Sequence, residues 1–288
     1  MDLLDELEKR VVCGDGAMGT LLLDDGVRMS RCFEELCVSE PERIQKIHES
    51  YITAGARVIE TNTFGANAVR LQRFGMEERV SEINRAAVAV AKSAARNRDI
   101  CVAGCVGPLG ITARDAAARG IDRARCFREQ ITALLEAGVD AIFLETFTDF
   151  DEIEIALRAK KTVSEAPEIC SFACRPDGRL RCGAILGEAF NRLREMGAKI
   201  LGVNCMNDPA EMVVLLRQLP AEFPLAVYPT AGRPRLRDDR FHYDVAPQSF
   251  ADAARDLVAK GARLVGGCCG TTPAHITALG SAIANLPS

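Results

Sequence analysis

MGAKILGVNC, residues 196–205, and KGARLVGGCC, residues 260–269, follow one plan: the end of an amphipathic helix, a glycine, one or two small or polar residues, and a short apolar run. The plan recurs in AGARVIETN (54–62) and AGVDAIFLET (137–146). Gly55, Gly138, Gly197 and Gly261 each stand where a helix closes on a left-handed residue, a conformation glycine adopts without steric cost. The apolar runs are short and do not alternate, which marks strands buried on both faces. Helix, glycine, buried strand, repeated, is the pattern of a parallel sheet with helical crossovers.

Four further strands fit between these: VVCGDG (11–16), ICVAGCVG (100–107), EICSFAC (168–174) and PLAVYPT (224–230). Eight strand–helix units without a linker predict a single (β/α)8 TIM barrel over residues 1–288, rather than an open doubly wound sheet. The helix signals are weakest after the third and fifth strands. The segment DLLDELEKR precedes the first strand and is expected as a short helix over the barrel bottom.

Composition narrows the function classes. The net charge is −4 and no basic block stands out, which argues against nucleic acid as a partner. No apolar stretch is long enough to span a bilayer. The N-terminus is charged and amphipathic, unlike a signal peptide, so a cytoplasmic location is expected. In that setting the twelve cysteines read as thiols, most of them small core hydrophobes.

Counted from the glycines, Asn62, Glu145 and Cys268 lie seven residues on and Cys205 eight. Each falls at the C-terminal end of its strand, the rim where barrels build their active sites. Neighbours on a regular strand face opposite ways, so Cys268 and Cys269 share a metal only if the strand ends there. Gly266, Gly267 and Gly270 permit such a turn. Thr271 or Thr272 then caps a helix with Pro273 in its first turn. An isolated cysteine pair is more often two inert thiols, and a vicinal disulfide is a rarer alternative. The glycine bracket and Cys205 at matching height favour a zinc site with one open position, which is a catalytic rather than a structural arrangement. A substrate thiol entering that position is deprotonated and stays nucleophilic.

Asp15-Gly-Ala-Met-Gly-Thr20 is either an ordinary βα turn capped by Asp15 or a loop whose backbone N–H groups hold a carboxylate. Its place at the barrel mouth favours the second. Glu145 suits a ligand ammonium or the next helix. Asn62 is a hydrogen-bonding candidate at the rim, and Glu60, two residues earlier, points either into the barrel or out of it. Cys101 and Cys105, and likewise Cys170 and Cys174, lie roughly 13 Å apart on their strands, too far to share a metal. Cys105 and Cys174 come near strand ends. His48, His242 and His275 read as structural, His242 in a charged loop, and no Ser-His-Asp arrangement is visible.

With these motifs in view, the chain resembles the homocysteine S-methyltransferase family over essentially its whole length. DGAMGT (15–20), ETNTFGAN (60–67), GP (107–108), ETF (145–147), GVNC (202–205), VYP (227–229) and GGCCGTTPAHI (266–276) carry the resemblance together. The stretch RCFEELCVSEPERIQKIHESYITAGA (31–56) is most similar to the N-terminal module of bacterial proteins that add a methylenetetrahydrofolate reductase domain, and of cobalamin-dependent methionine synthases. The resemblance implies that Cys205, Cys268 and Cys269 bind Zn2+. It implies that the backbone of Gly16, Ala17, Met18, Gly19 and Thr20 takes the homocysteine carboxylate. It places the ammonium on Glu145, with Asp15 as a second candidate, and gives Asn62 and Asn204 a share in shaping the pocket. Family members often carry an asparagine after VYP or a tyrosine after the strand-four glutamate; here Thr230 and Thr146 stand there. The resting fourth ligand stays open between Thr230 and water.

The implied activity is methyl transfer to zinc-bound homocysteine, giving methionine. With no tryptophan and three tyrosines, an aromatic cage for a cationic donor is poorly supplied. Methyl-tetrahydrofolate or methylcobalamin, presented by a partner protein or a fused reductase or cobalamin domain, fits better. The alternatives are methylation of a different thiol and a non-catalytic zinc-binding scaffold. No reductase half follows, so the chain is either a stand-alone protein or part of a longer one.

Overall fold

The computed structural model describes residues 1–219, 224–237 and 240–286, so the last two positions of the expected domain lie outside the described residues. Eight strands form one parallel sheet: β1 (Val12–Cys13), β2 (Val58–Glu60), β3 (Cys101–Val106), β4 (Ala141–Phe147), β5 (Glu168–Phe172), β6 (Ile200–Asn204), β7 (Leu225–Tyr228) and, after two hairpin strands, β10 (Ala262–Val265). They are ordered β1-β10-β7-β6-β5-β4-β3-β2. A parallel bridge between Gly14 and Val58 joins the two edges, so the sheet closes into a (β/α)8 barrel.

The four repeat glycines do what their positions require. Gly55, Gly138, Gly197 and Gly261 have φ of 109°, 97°, 81° and 95° and end the helices that precede β2, β4, β6 and β10. Every residue of β3, β5, β6 and β7 is buried, because helices cover the outside and side chains fill the inside.

Val12, Val58, Cys101, Ala103, Ala141, Phe143, Ile169, Ile200, Ala226, Tyr228 and Leu264 pack into one interior cluster. Leu3 and Leu7 of the helix Leu3–Lys9 belong to it, so that helix plugs the barrel bottom as expected. Asp2 caps the plug by accepting a bond from Asp5 N–H at 3.2 Å. Each buried leucine contributes about 2 kcal/mol by area.

Two local readings change. The connection after β3 carries a full helix, Arg123–Glu136, capped by Asp122, despite its weak signal. The stretch around His242, expected as a charged loop, forms the strand β9 (Arg240–His242), paired antiparallel with β8 (Arg235–Arg237). This hairpin lies between β7 and β10 in the chain, beyond the C-terminal end of β7. Among the described residues no helix is long and apolar enough to cross a membrane.

Candidate metal and substrate site

The end of β7 is the template on which the cysteines are hung. Cys205 N–H donates to Tyr228 O at 2.9 Å and Cys268 N–H to Pro229 O at 2.7 Å, while Cys269 O accepts from Ala231 N–H at 2.9 Å. Two loops from different strands thus lie on one four-residue segment, Tyr228 to Ala231. Neither loop is regular strand. Cys205 and Met206 both adopt left-handed φ, 61° and 60°, an uncommon state for non-glycine residues. After β10, Gly267 is forced small: a Cβ there would sit 2.5 Å from the Thr271 hydroxyl oxygen. Gly270 turns the chain with φ 80°. The helix Pro273–Ala284 then starts from Thr272, in a reciprocal cap with His275, whose Nε2 lies 2.9 Å from Val245 O. The histidine is structural, as expected.

The result is a triangle of thiols. Cys205 Sγ lies 3.9 Å and Cys268 Sγ 4.0 Å from Cys269 Sγ, and all three sulfurs fall within 4.8 Å of one another. Sulfurs on a tetrahedral zinc with bonds of about 2.3 Å stand about 3.8 Å apart, close to the two edges that meet at Cys269. Hydrogen bonds from Cys205 and Cys268 pull the Cys269 thiol down to about 3, so one sulfur is held ionised by its neighbours. All three cysteines keep part of their surface open.

A second cluster lies alongside. The pairing of β4 with β5 shifts between Leu144 and Phe147, and Thr146 takes a left-handed φ of 62°. The irregularity aims Glu145 into the barrel mouth. Asn204 fixes it there: its Nδ2 donates to Glu145 Oε2 at 3.2 Å and to Thr146 Oγ1 at 2.6 Å, while its Oδ1 accepts from Thr146 N–H at 2.9 Å and from the Ser171 hydroxyl at 2.7 Å. Asp15 is buried and accepts from Glu60 N–H at 2.9 Å. Burial pushes the carboxyls of Asp15, Glu60 and Glu145 above the usual carboxylate range.

The other expected residues fall as follows. Ala17 N–H is committed to Thr271 Oγ1 at 3.0 Å, and Thr20 Oγ1 accepts from Gly270 N–H at 3.2 Å, so the loop Gly16 to Thr20 is stitched to the cysteine turn. Met18 and Gly19 open the short helix Gly19–Asp24. Asn62 donates to Phe33 O at 2.7 Å and packs against Cys37. Thr230 is buried and its hydroxyl donates to Asn207 O at 3.2 Å. Cys174 is buried, and its carbonyl holds Asn207 Nδ2 at 2.9 Å.

Three residues gain a place that the sequence left open, for Glu60 and Cys105, or did not suggest, for Tyr243. Glu60 points inward and forms a group with Cys105 and Glu145 whose ligand atoms lie within 4.8 Å of one another. Strand register is the signal: Glu60 pairs with Ala103, an interior residue, so it shares the interior face. Cys105 Sγ lies 2.7 Å from Glu145 Oε1. Tyr243, just past β9, hydrogen-bonds to Cys269 through its hydroxyl, and its ring packs on Gly270, where a Cβ would be 2.1 Å from the ring. Nothing in the local sequence ties Tyr243 to the cysteines; the hairpin does.

The family model described as homocysteine S-methyltransferase matches residues 12–283. The methionine synthase of Mycobacterium tuberculosis is 35% identical over 99% of this chain and 26% of its own length; that of Mycobacterium leprae is 33% identical over 98% and 25%. The chain therefore spans about a quarter of the length of these relatives. The metallated form of the Escherichia coli homocysteine methyltransferase MmuM superposes with a TM-score of 0.80, at 28% identity, covering 98% of this chain and 99% of that one.

Proposed function

The chain belongs to the homocysteine S-methyltransferase family, and from that premise we propose that its barrel, residues 1–288, is a zinc-dependent homocysteine-binding module that forms methionine. The observation that carries this reading is the sulfur triangle, with edges of 3.9 and 4.0 Å at a tetrahedral spacing and an open fourth side. Cys205, Cys268 and Cys269 would hold the ion. Zinc bound there supplies a fourth position in which the homocysteine thiol loses its proton and keeps its nucleophilicity.

The protein's own groups do the positioning. Glu145, steadied by Asn204, takes the substrate ammonium, with Asp15 beside it. Backbone N–H groups of the loop Gly16 to Thr20 take the carboxylate, Ala17 excepted, since its N–H is already bonded to Thr271. With both ends of the amino acid held, the sulfur faces the mouth. It attacks the methyl carbon in line; the S–C bond forms and the donor leaves with its bonding electron pair.

The tyrosines support a donor other than a cation held in an aromatic cage. Tyr51 is buried and bonds to Ala17 O and Thr271 O, Tyr228 fills the barrel core, and Tyr243 is at the thiols. The favoured donor is methyl-tetrahydrofolate or methylcobalamin, presented by another domain or protein, in the cytoplasm.

The test is methionine formation from homocysteine with a panel of methyl donors, with and without a zinc chelator. The reading expects activity that is lost on chelation and restored by zinc. Activity that survives complete zinc removal contradicts it. Preference for another thiol would reassign the substrate, and zinc uptake without turnover on any donor would favour a scaffold.

A further inference from the structure

The carboxylate cluster contains one acid more than a single ammonium needs, and this excess has a chemical consequence. Glu60 and Glu145 bring carboxylate oxygens within 4.8 Å of each other and of Cys105 Sγ in a buried site, an approach that two carboxylates make favourably only if one carries a proton that the other accepts. Glu145 already accepts from Cys105 at 2.7 Å, from Asn204 at 3.2 Å and from the Thr146 hydroxyl at 3.4 Å, so it is the ionised partner and Glu60 the donor.

The titratable groups facing the pair are Asp15 at the end of β1, Cys105 on β3, Tyr228 on β7 and Cys269 beyond β10, each neutral or negative. Arg70 and Glu34 lie beyond Cys105 and face each other. A second observation points to a missing ligand. Tyr228 is 3% exposed, and its hydroxyl, which a Cβ on Gly14 would meet at 2.2 Å, senses the charges of Glu60 and Asp15 and has no hydrogen-bond partner. A buried hydroxyl in that state lacks a polar neighbour that the pocket is shaped to receive.

We infer that Glu60 is a third carboxylate of the ammonium subsite, that in the free protein it holds a proton shared with Glu145, and that an incoming amino acid expels this proton. The Glu60 O–H bond breaks, the proton goes to solvent, and the ammonium keeps its three protons between two ionised carboxylates. The subsite thus selects a fixed cation: an N-acylated or deaminated analogue cannot offset the second charge, so Glu60 stays protonated and the analogue is refused. The inference rests on the proposed substrate reading.

The experiment is calorimetric titration of the zinc-loaded protein at pH 7 in two buffers of different ionisation heat. Norleucine, which has the ammonium and carboxylate but no thiol, is the first ligand. Wild-type protein is expected to release about one proton per norleucine bound, and Glu60→Gln about none, with affinity kept within about tenfold. Homocysteine is expected to release about two protons with zinc present and about one after its removal, the difference being the thiol proton. Norleucine binding without proton release in the wild type overturns the inference, as does release unchanged in Glu60→Gln. The wild-type measurement decides even if that variant does not fold. If neither amino acid binds, the substrate reading falls, and this inference with it.

Discussion

Two clusters share the barrel mouth and are built by opposite means. The carboxylates come from strand ends by the ordinary alternation of side chains, Glu60 from β2 and Glu145 from β4, the latter turned by one irregular step. The thiols come from places where the strand has stopped, on left-handed backbone at Cys205 and in a glycine-bracketed turn at Cys268 and Cys269. The first cluster is hard, oxygen-bearing and suited to an ammonium; the second is soft and suited to a thiophilic ion. Side by side they match a molecule with an ammonium at one end and a thiol at the other. The difference also separates failure modes: damage to one cluster should leave the other working.

The largest break is expected from Cys268→Ala. Removing a ligand should weaken zinc more than about a hundredfold and abolish methionine formation, while norleucine binding stays. Competition with a metal chelator and calorimetry read the two halves separately. Glu145→Gln should do the reverse, weakening norleucine and homocysteine by about 30-fold or more, as expected for truncating one partner of a buried charge pair, at unchanged zinc affinity.

How far the sequence reached follows the same division. The eight strands were legible because each is a short, largely apolar run announced by turn residues. The cysteine triangle was legible because two motifs fell at one height in two of the repeats, on either side of β7. Glu60 was not, since a strand residue's inward or outward face depends on register with its neighbour, and that pairing is tertiary. Tyr243 was hidden for a different reason. It reaches Cys269 because the β8–β9 excursion folds back, through Val245 N–H to Ala231 O at 3.0 Å, onto the segment that carries the cysteines.

That contact gives a smaller effect. Tyr243→Phe removes one hydrogen bond from a thiolate ligand and should weaken zinc by about tenfold, leaving norleucine binding alone. An equal loss in both would mean the hairpin supports the whole mouth rather than one sulfur.

The mildest probe is pH. Burial and then the Glu145 charge raise Glu60 well above the usual carboxylate range, which favours its protonated form in the free protein. An ammonium that displaces this proton binds better as pH rises, by up to about tenfold per unit, and the gain levels off above the raised value. The free protein moves oppositely: what the protonated Glu60 contributes to stability is present below about pH 4.5 and is lost as pH rises through its raised value. Norleucine affinity that does not change with pH would erase the distinction between a shared-proton cluster and a simple pair of anions.

The central claim is that three cysteine sulfurs hold a metal whose fourth position belongs to the substrate thiol. X-ray absorption at the zinc edge tests it directly, on the protein with and without homocysteine. The sulfur count around zinc is expected to rise from about three to about four on adding homocysteine, and to stay at about three with norleucine. A sulfur count unchanged by homocysteine, or a metal bound without these cysteines, would contradict it.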